Sequence, residues 1–97
     1  MHKIGERVGA ILSGEGDTCY FIGYGIYEGD FIPESNIGGF GKLLKEVGIT
    51  NPRIKLDNGG YVYGCECWWG AEDSIRERLK NFKNIVLVDM EAKRKKD

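Results

Sequence analysis

The tetrapeptide Asp57-Asn58-Gly59-Gly60 constrains this chain more than any other segment. It stands between Arg53-Ile54-Lys55-Leu56 and the run Tyr61 to Trp69, both rich in alternating apolar, aromatic and β-branched residues. Asn-Gly is the preferred central pair of a type I′ turn, because both positions need positive φ, so a two-residue β-hairpin is predicted. That turn fixes the register: Leu56 opposite Tyr61, Lys55 opposite Val62, Ile54 opposite Tyr63 and Arg53 opposite Gly64. Ile54, Leu56, Tyr61, Tyr63, Cys65, Cys67 and Trp69 then share a core face. Arg53, Lys55, Val62, Gly64, Glu66 and Trp68 share the outer one.

A second hairpin is expected upstream. Arg7 to Leu12 alternates, with Val8, Ala10 and Leu12 on one face, and Ser13 to Asp17 carries turn chemistry. Thr18 to Tyr27 follows as a strand, with Tyr20, Ile22, Tyr24 and Ile26 expected toward the core and Cys19, Phe21, Gly23 and Gly25 away from it. Glu28 to Asn36 reads as an irregular connection. A short helix is expected where Phe40, Leu43, Leu44 and Val47 recur at helical spacing before Gly48. Ala71 to Phe82 predicts a second helix, with Ile75, Leu79 and Phe82 on one stripe, acids first and bases last, as the helix dipole favours. Ile85-Val86-Leu87-Val88 predicts a short buried strand. The fold class is therefore α+β: a strongly bent antiparallel sheet or small open β-barrel of about five strands, with one short helix and one helix in the C-terminal half. Residues 1–90 read as a single domain, and 91–97 as a polar basic tail.

Ninety-seven residues suit one domain. Lys plus Arg (14) nearly balance Asp plus Glu (15), so no global field marks a nucleic-acid or membrane binder. The opening MHKIGERVG lacks an apolar export core and no long apolar run follows, so a cytoplasmic protein is expected. Cys19, Cys65 and Cys67 form an odd set without disulfide-framework spacing.

Candidate chemistry is sparse. Cys65 and Cys67, with Cys19 or His2, could complete a tetrahedral zinc site, but zinc ribbons use Cys-x-x-Cys knuckles, so core packing is adopted and no metal is expected. His2, the one histidine, sits too near the terminus to activate a thiol unless that end is held down. Gly23-Tyr24-Gly25 and Gly38-Gly39-Phe40-Gly41 lack the full phosphate-loop patterns, so no cofactor is expected. The four cations of Lys93-Arg94-Lys95-Lys96 read as solvated rather than as a nucleic-acid contact. What remains is a binding surface: Arg53, Lys55, Glu66 and Trp68 would set an indole beside two cations and an acceptor, equipment for a flat anionic ligand such as a nucleotide. Glu66 could equally form a cross-strand ion pair with Arg53. Aromatic surface left over in so small a domain leads us to expect a homo-oligomer.

Three segments carry a resemblance. Gly23 to Asp30 (GYGIYEGD), Asn51 to Gly59 (NPRIKLDNG) and Gly64 to Gly70 (GCECWWG) resemble small, uncharacterised proteins of phages and mobile elements. What the resemblance implies is an accessory, anti-defence role, such as an oligomeric sponge for a nucleotide signal in the host cytoplasm. The expectation is thus a non-enzymatic binding protein. The alternatives are a protein-binding inhibitor that uses the acidic segment Glu28 to Glu34, and a hydrolase built on Glu28, Asp30 and Glu66.

Overall fold

In the computed structural model, residues 2–32 and 46–96 are described, the side chains of 95 and 96 excepted. The elements run β1 (Arg7–Glu15), β2 (Thr18–Phe31), β3 (Asn51–Leu56), β4 (Tyr61–Tyr63), a 3-10 turn (Gly64–Glu66), β5 (Trp68–Ala71), α1 (Glu72–Leu79), β6 (Asn84–Leu87) and α2 (Met90–Lys96). The strands form one open sheet in the order β4-β3-β2-β1-β5. β6 lies beside the first half of β2 and parallel to it; every other pairing is antiparallel. The domain is α+β, as expected, and the sheet does not close into a barrel.

The first hairpin turns more tightly than its composition implied. β1 continues to Glu15, which pairs with Thr18, leaving Gly16-Asp17 as a two-residue loop. Gly16 takes φ +57, the glycine that a type II′ turn wants at its first central position. Val8 and Ala10 are buried on one face with Leu12 packed against them, as alternation predicts. β2 departs from its predicted faces because Ile22 has no partner in the ladder: Ala10 pairs with Gly23 and Ile11 with Phe21. The bulge reverses the alternation. Ile22 joins Val8 and Ala10, whereas Cys19 and Phe21 are buried on the opposite side and Tyr24 meets Phe21 edge-on at 5.0 Å. Ile26, expected in the core, is exposed. Glu28 to Phe31, expected to be irregular, continue β2 through a second register shift and pair with β3.

The register predicted for the second hairpin is off by one. Ile54 pairs with Val62, Lys55 with Tyr61 and Arg53 with Tyr63. The Leu56 amide donates to the Gly60 carbonyl (2.8 Å) and the Gly59 amide to the Leu56 carbonyl (3.0 Å), so the loop holds three residues, Asp57, Asn58 and Gly59. Only Gly59 has positive φ (+100), so this is not the type I′ turn, which needs two such residues. A one-residue slip exchanges the faces of the returning strand. Val62, assigned to the outside, is fully buried against Ile54. The returning strand also ends early, because the 3-10 turn breaks it at Gly64 and β5 continues on the far side of β1. One expected strand has become two.

Both faces of the sheet carry a core. Val8, Ala10, Ile22, Ile54, Leu56 and Val62 form the larger, closed by Met90 of α2. Ile11, Cys19 and Phe21 form the smaller under Ile75 of α1, with Leu79 and Phe82 at its margin. The helix expected over 71–82 is therefore present, though it ends at Leu79 and Phe82 lies beyond it. β6 pairs as a strand but is exposed along its whole length, not buried. Residues 91–96 are helical rather than a loose tail. Of the short helix predicted over 40–47, Phe40, Leu43 and Leu44 lie outside the described residues, as do the glycine cluster 38–41 and Pro33 to Asn36.

Candidate functional site

The four residues expected to form one binding surface are placed in three settings. On β3, the Arg53 Nε donates to Glu28 Oε1 at 2.9 Å, and its guanidinium lies 3.7 Å from the centre of the Phe31 ring. Burial works against that charge, but the Tyr63 hydroxyl and the Glu28 carboxylate outweigh it and hold the guanidinium above its ordinary pKa. The Lys55 Nζ reaches back to the Gly59 carbonyl at 3.1 Å. Glu66 is a structural group. The Tyr63 amide donates to its Oε1 (3.1 Å), and Arg94 grips both oxygens, Nη2 at 2.5 Å and Nε at 2.9 Å. Each side chain of that pair is only 8 % exposed. The partner of Glu66 is thus Arg94 of α2, not Arg53, and Arg94 is no solvated tail cation.

Trp68 stands apart from all three. Alternation puts it nominally on the same side of the sheet as Arg53 and Lys55, because Trp69 and Ile54 both turn toward the larger core. The strand order nevertheless inserts β1 and β2 between β5 and β3, a separation of roughly 14 Å at ordinary strand spacing. Tyr24, with Arg76 of α1 over its ring, occupies the interval. The expected composite of indole and two cations is therefore not assembled. The cause is the 3-10 turn, which moves Trp68 from the second hairpin to the opposite edge.

There Trp68 enters a different constellation. It pairs with Ile11 of β1 and is 70 % exposed. With Leu12, Gly14, Arg78 and Phe82 it lines a cleft of about 400 Å³, within the range of small-ligand sites. Gly14 shapes the floor. A Cβ there would sit 2.9 Å from the Phe82 ring, so only glycine lets that ring lie across β1. The Phe82 amide donates to the Leu79 carbonyl at 3.1 Å, which turns the chain off α1 and brings the ring toward Trp68. Arg78, in the last turn of α1, has no ion-pair partner among the described residues, whereas its neighbours Arg76 and Lys80 are paired with Glu72, Asp73 and Glu77. A second open hollow shares Arg78 and Phe82 and adds Ser74 and Asn81. Sequence reasoning passed over Arg78 and Phe82 as a dipole cation and a core residue. A signal was present: Ile75, Arg78, Leu79 and Phe82 fall at i, i+3, i+4 and i+7, so a cation interrupts the apolar stripe.

The other candidates resolve locally. Gly23 and Gly25 lie within β2, and a Cβ on Gly25 would sit 2.2 Å from the Lys55 carbonyl, so that glycine serves strand approach. No three metal-ligating side chains converge among the described residues. Burial pushes the Cys67 thiol up to about 12, with Glu66 and Cys65 adding to it, and its sulfur donates to the Tyr63 carbonyl. His2 is held, not frayed: its Nδ1 lies 2.6 Å from Glu6 Oε2 and its ring 4.6 Å from that of Trp69. A hollow of about 370 Å³ beside the β3–β4 loop is lined by Asp89, Glu91 and Arg94, the last already bound to Glu66. No described helix is long and apolar enough to cross a membrane. Compared with known proteins, the chain matches no family model, no curated protein and no solved structure.

Proposed function

We propose that the protein is a non-enzymatic binding module that captures a flat, anionic small molecule of nucleotide type in the cleft between Trp68, Phe82 and Arg78. The observation that carries this reading is a guanidinium without an ion-pair partner among the described residues, at the rim of an aromatic cleft whose indole is open to solvent. A base would stack on Trp68, where stacking contributes about 1–3 kcal/mol. Its phosphate would take the charge-assisted hydrogen bonds of Arg78, a fork that fits such oxygens. Ser13 at the same rim adds a hydroxyl. Sequestering a nucleotide signal, the role that the phage-protein resemblance implies, is what binding without turnover would do in a cell.

Thermal unfolding against a panel of mono-, di- and cyclic nucleotides tests the reading. A ligand at a hundredfold excess over its Kd should add about 2.7 kcal/mol, roughly 10–20 °C for a domain of this size. Mass spectrometry should recover that ligand unaltered after denaturation. Recovery of a product would make the protein an enzyme. A panel that leaves melting unmoved, together with a stoichiometric protein recovered on pull-down, would replace this reading with the inhibitor one.

A further inference from the structure

β6 is an apolar strand with one edge paired to β2 and the other unpaired among the described residues. The Asn84 amide donates to the carbonyl of Asp17 in the β1–β2 loop at 3.0 Å, and the Val88 amide to the Phe21 carbonyl of β2 at 2.9 Å. Because such bonds alternate along a strand, Ile85 and Leu87 direct their N–H and C=O groups away from β2. No described strand receives them. Their side chains are also open, Ile85 at 43 % and Leu87 at 77 % exposed, with Val86 at 44 % on the other face. An edge with free backbone groups and aliphatic side chains on both faces is a template for strand pairing, and natural edges are usually blunted against it.

The segment Lys83-Asn84-Ile85-Val86-Leu87-Val88-Asp89 carries a cation at one end and an acid at the other. We infer that β6 pairs antiparallel with β6 of a second copy about a two-fold axis at Val86, extending the sheet across a homodimer. In that register Ile85 faces Leu87 of the second copy, and each such pair exchanges both outward main-chain hydrogen bonds. Lys83 then faces Asp89 of the second copy at both ends, an opposite-charge cross-strand pair. Both groups have capacity for it. The contact of Lys83 with Asp17 is long (3.9 Å) and exposed, and Asp89 uses Oδ1 to cap α2, accepting from the Glu91 and Ala92 amides. A shift by one residue would turn the outward groups of one strand onto the inward groups of the other. Charge and hydrogen-bond phase thus select a second copy rather than an unrelated strand, independently of whether the Trp68 cleft binds a nucleotide.

Sedimentation equilibrium of the full chain should show a dimer, and Leu87→Lys should abolish it while the circular dichroism spectrum and melting of the monomer persist. Register is tested separately. In a two-fold antiparallel pair the central residues oppose one another about 4.5–5.5 Å apart, within disulfide reach. Val86→Cys should therefore oxidise to a covalent dimer, mapped by peptide mass spectrometry to Cys-Cys linkage at 86, faster than Ile85→Cys or Leu87→Cys. A chain that stays monomeric at all concentrations overturns the inference, and so does a dimer that Leu87→Lys leaves intact or that cross-links at 85 or 87 in preference to 86.

Discussion

Trp68 and Trp69 are neighbours on β5 and meet two different environments. Trp69 turns to the larger core, stacked on Tyr27 at 5.3 Å and against His2. Trp68 turns to the smaller core, past the end of α1, and most of its surface faces water. One side of the sheet is sealed by α2 and a buried ion pair; the other is only half covered, because α1 stops at Leu79 and leaves two aromatic rings and a cation uncapped. Adjacent residues of one type can thus meet a packed core and open solvent, and strand alternation is what separates them.

The sharpest way to break this contrast is on the sealed side. Arg94→Ala would leave the Glu66 carboxylate buried without its partner, and we expect a loss of about 3–5 kcal/mol in denaturant unfolding. A loss below about 1 kcal/mol would mean that α2 does not seal that face. Trp69→Ala should cost about 3 kcal/mol through lost packing. Trp68→Ala should change stability by no more than about 0.5 kcal/mol, as ordinary surface substitutions do, while removing nucleotide-dependent stabilisation.

Smaller effects refine the picture. Arg7 of β1 holds Asp57 through paired 2.7 Å bonds, and Glu6 is held by His2; the hydrogen bond from each partner keeps these two carboxylates below their ordinary pKa. The stabilisation they give is present above the unfolded carboxylate value of about 4 and is lost as pH falls through the lower folded values. Melting temperature should accordingly drop on acidification below about pH 4.5, and Asp57→Asn should flatten that part of the profile. Cys67, whose thiol burial disfavours ionisation, should react with iodoacetamide at pH 8 far more slowly than an unfolded control.

Local chemistry made much of the fold legible. The alternation of Val8, Ala10 and Leu12, the presence of two hairpins and the stripe from Ile75 to Phe82 follow from residue type and spacing alone. Register in the second hairpin did not follow, since Asn58-Gly59 suits either a two-residue I′ turn or a three-residue loop ending in glycine. Long-range contacts accompany the longer loop: the Asp57 amide donates to the Tyr24 carbonyl at 3.0 Å, and the Asp57 carboxylate is clamped by Arg7, fifty positions earlier in the chain. The 3-10 turn that moved Trp68 is likewise fixed by Glu66 through Arg94, twenty-eight positions later. The expected grouping of Trp68 with Arg53 and Lys55 did not follow, because β5 crosses to the edge of β1, where Arg78 and not a β3 cation lines the same cleft as the indole.

Iodide quenching of single-tryptophan variants tests the division between the two indoles most directly. With Trp69→Phe, the fluorescence of Trp68 should be strongly quenched, helped by the adjacent guanidinium of Arg78, whereas with Trp68→Phe the remaining indole should be shielded. Equal quenching in the two variants, or a shielded Trp68, would contradict an open face opposite a sealed one.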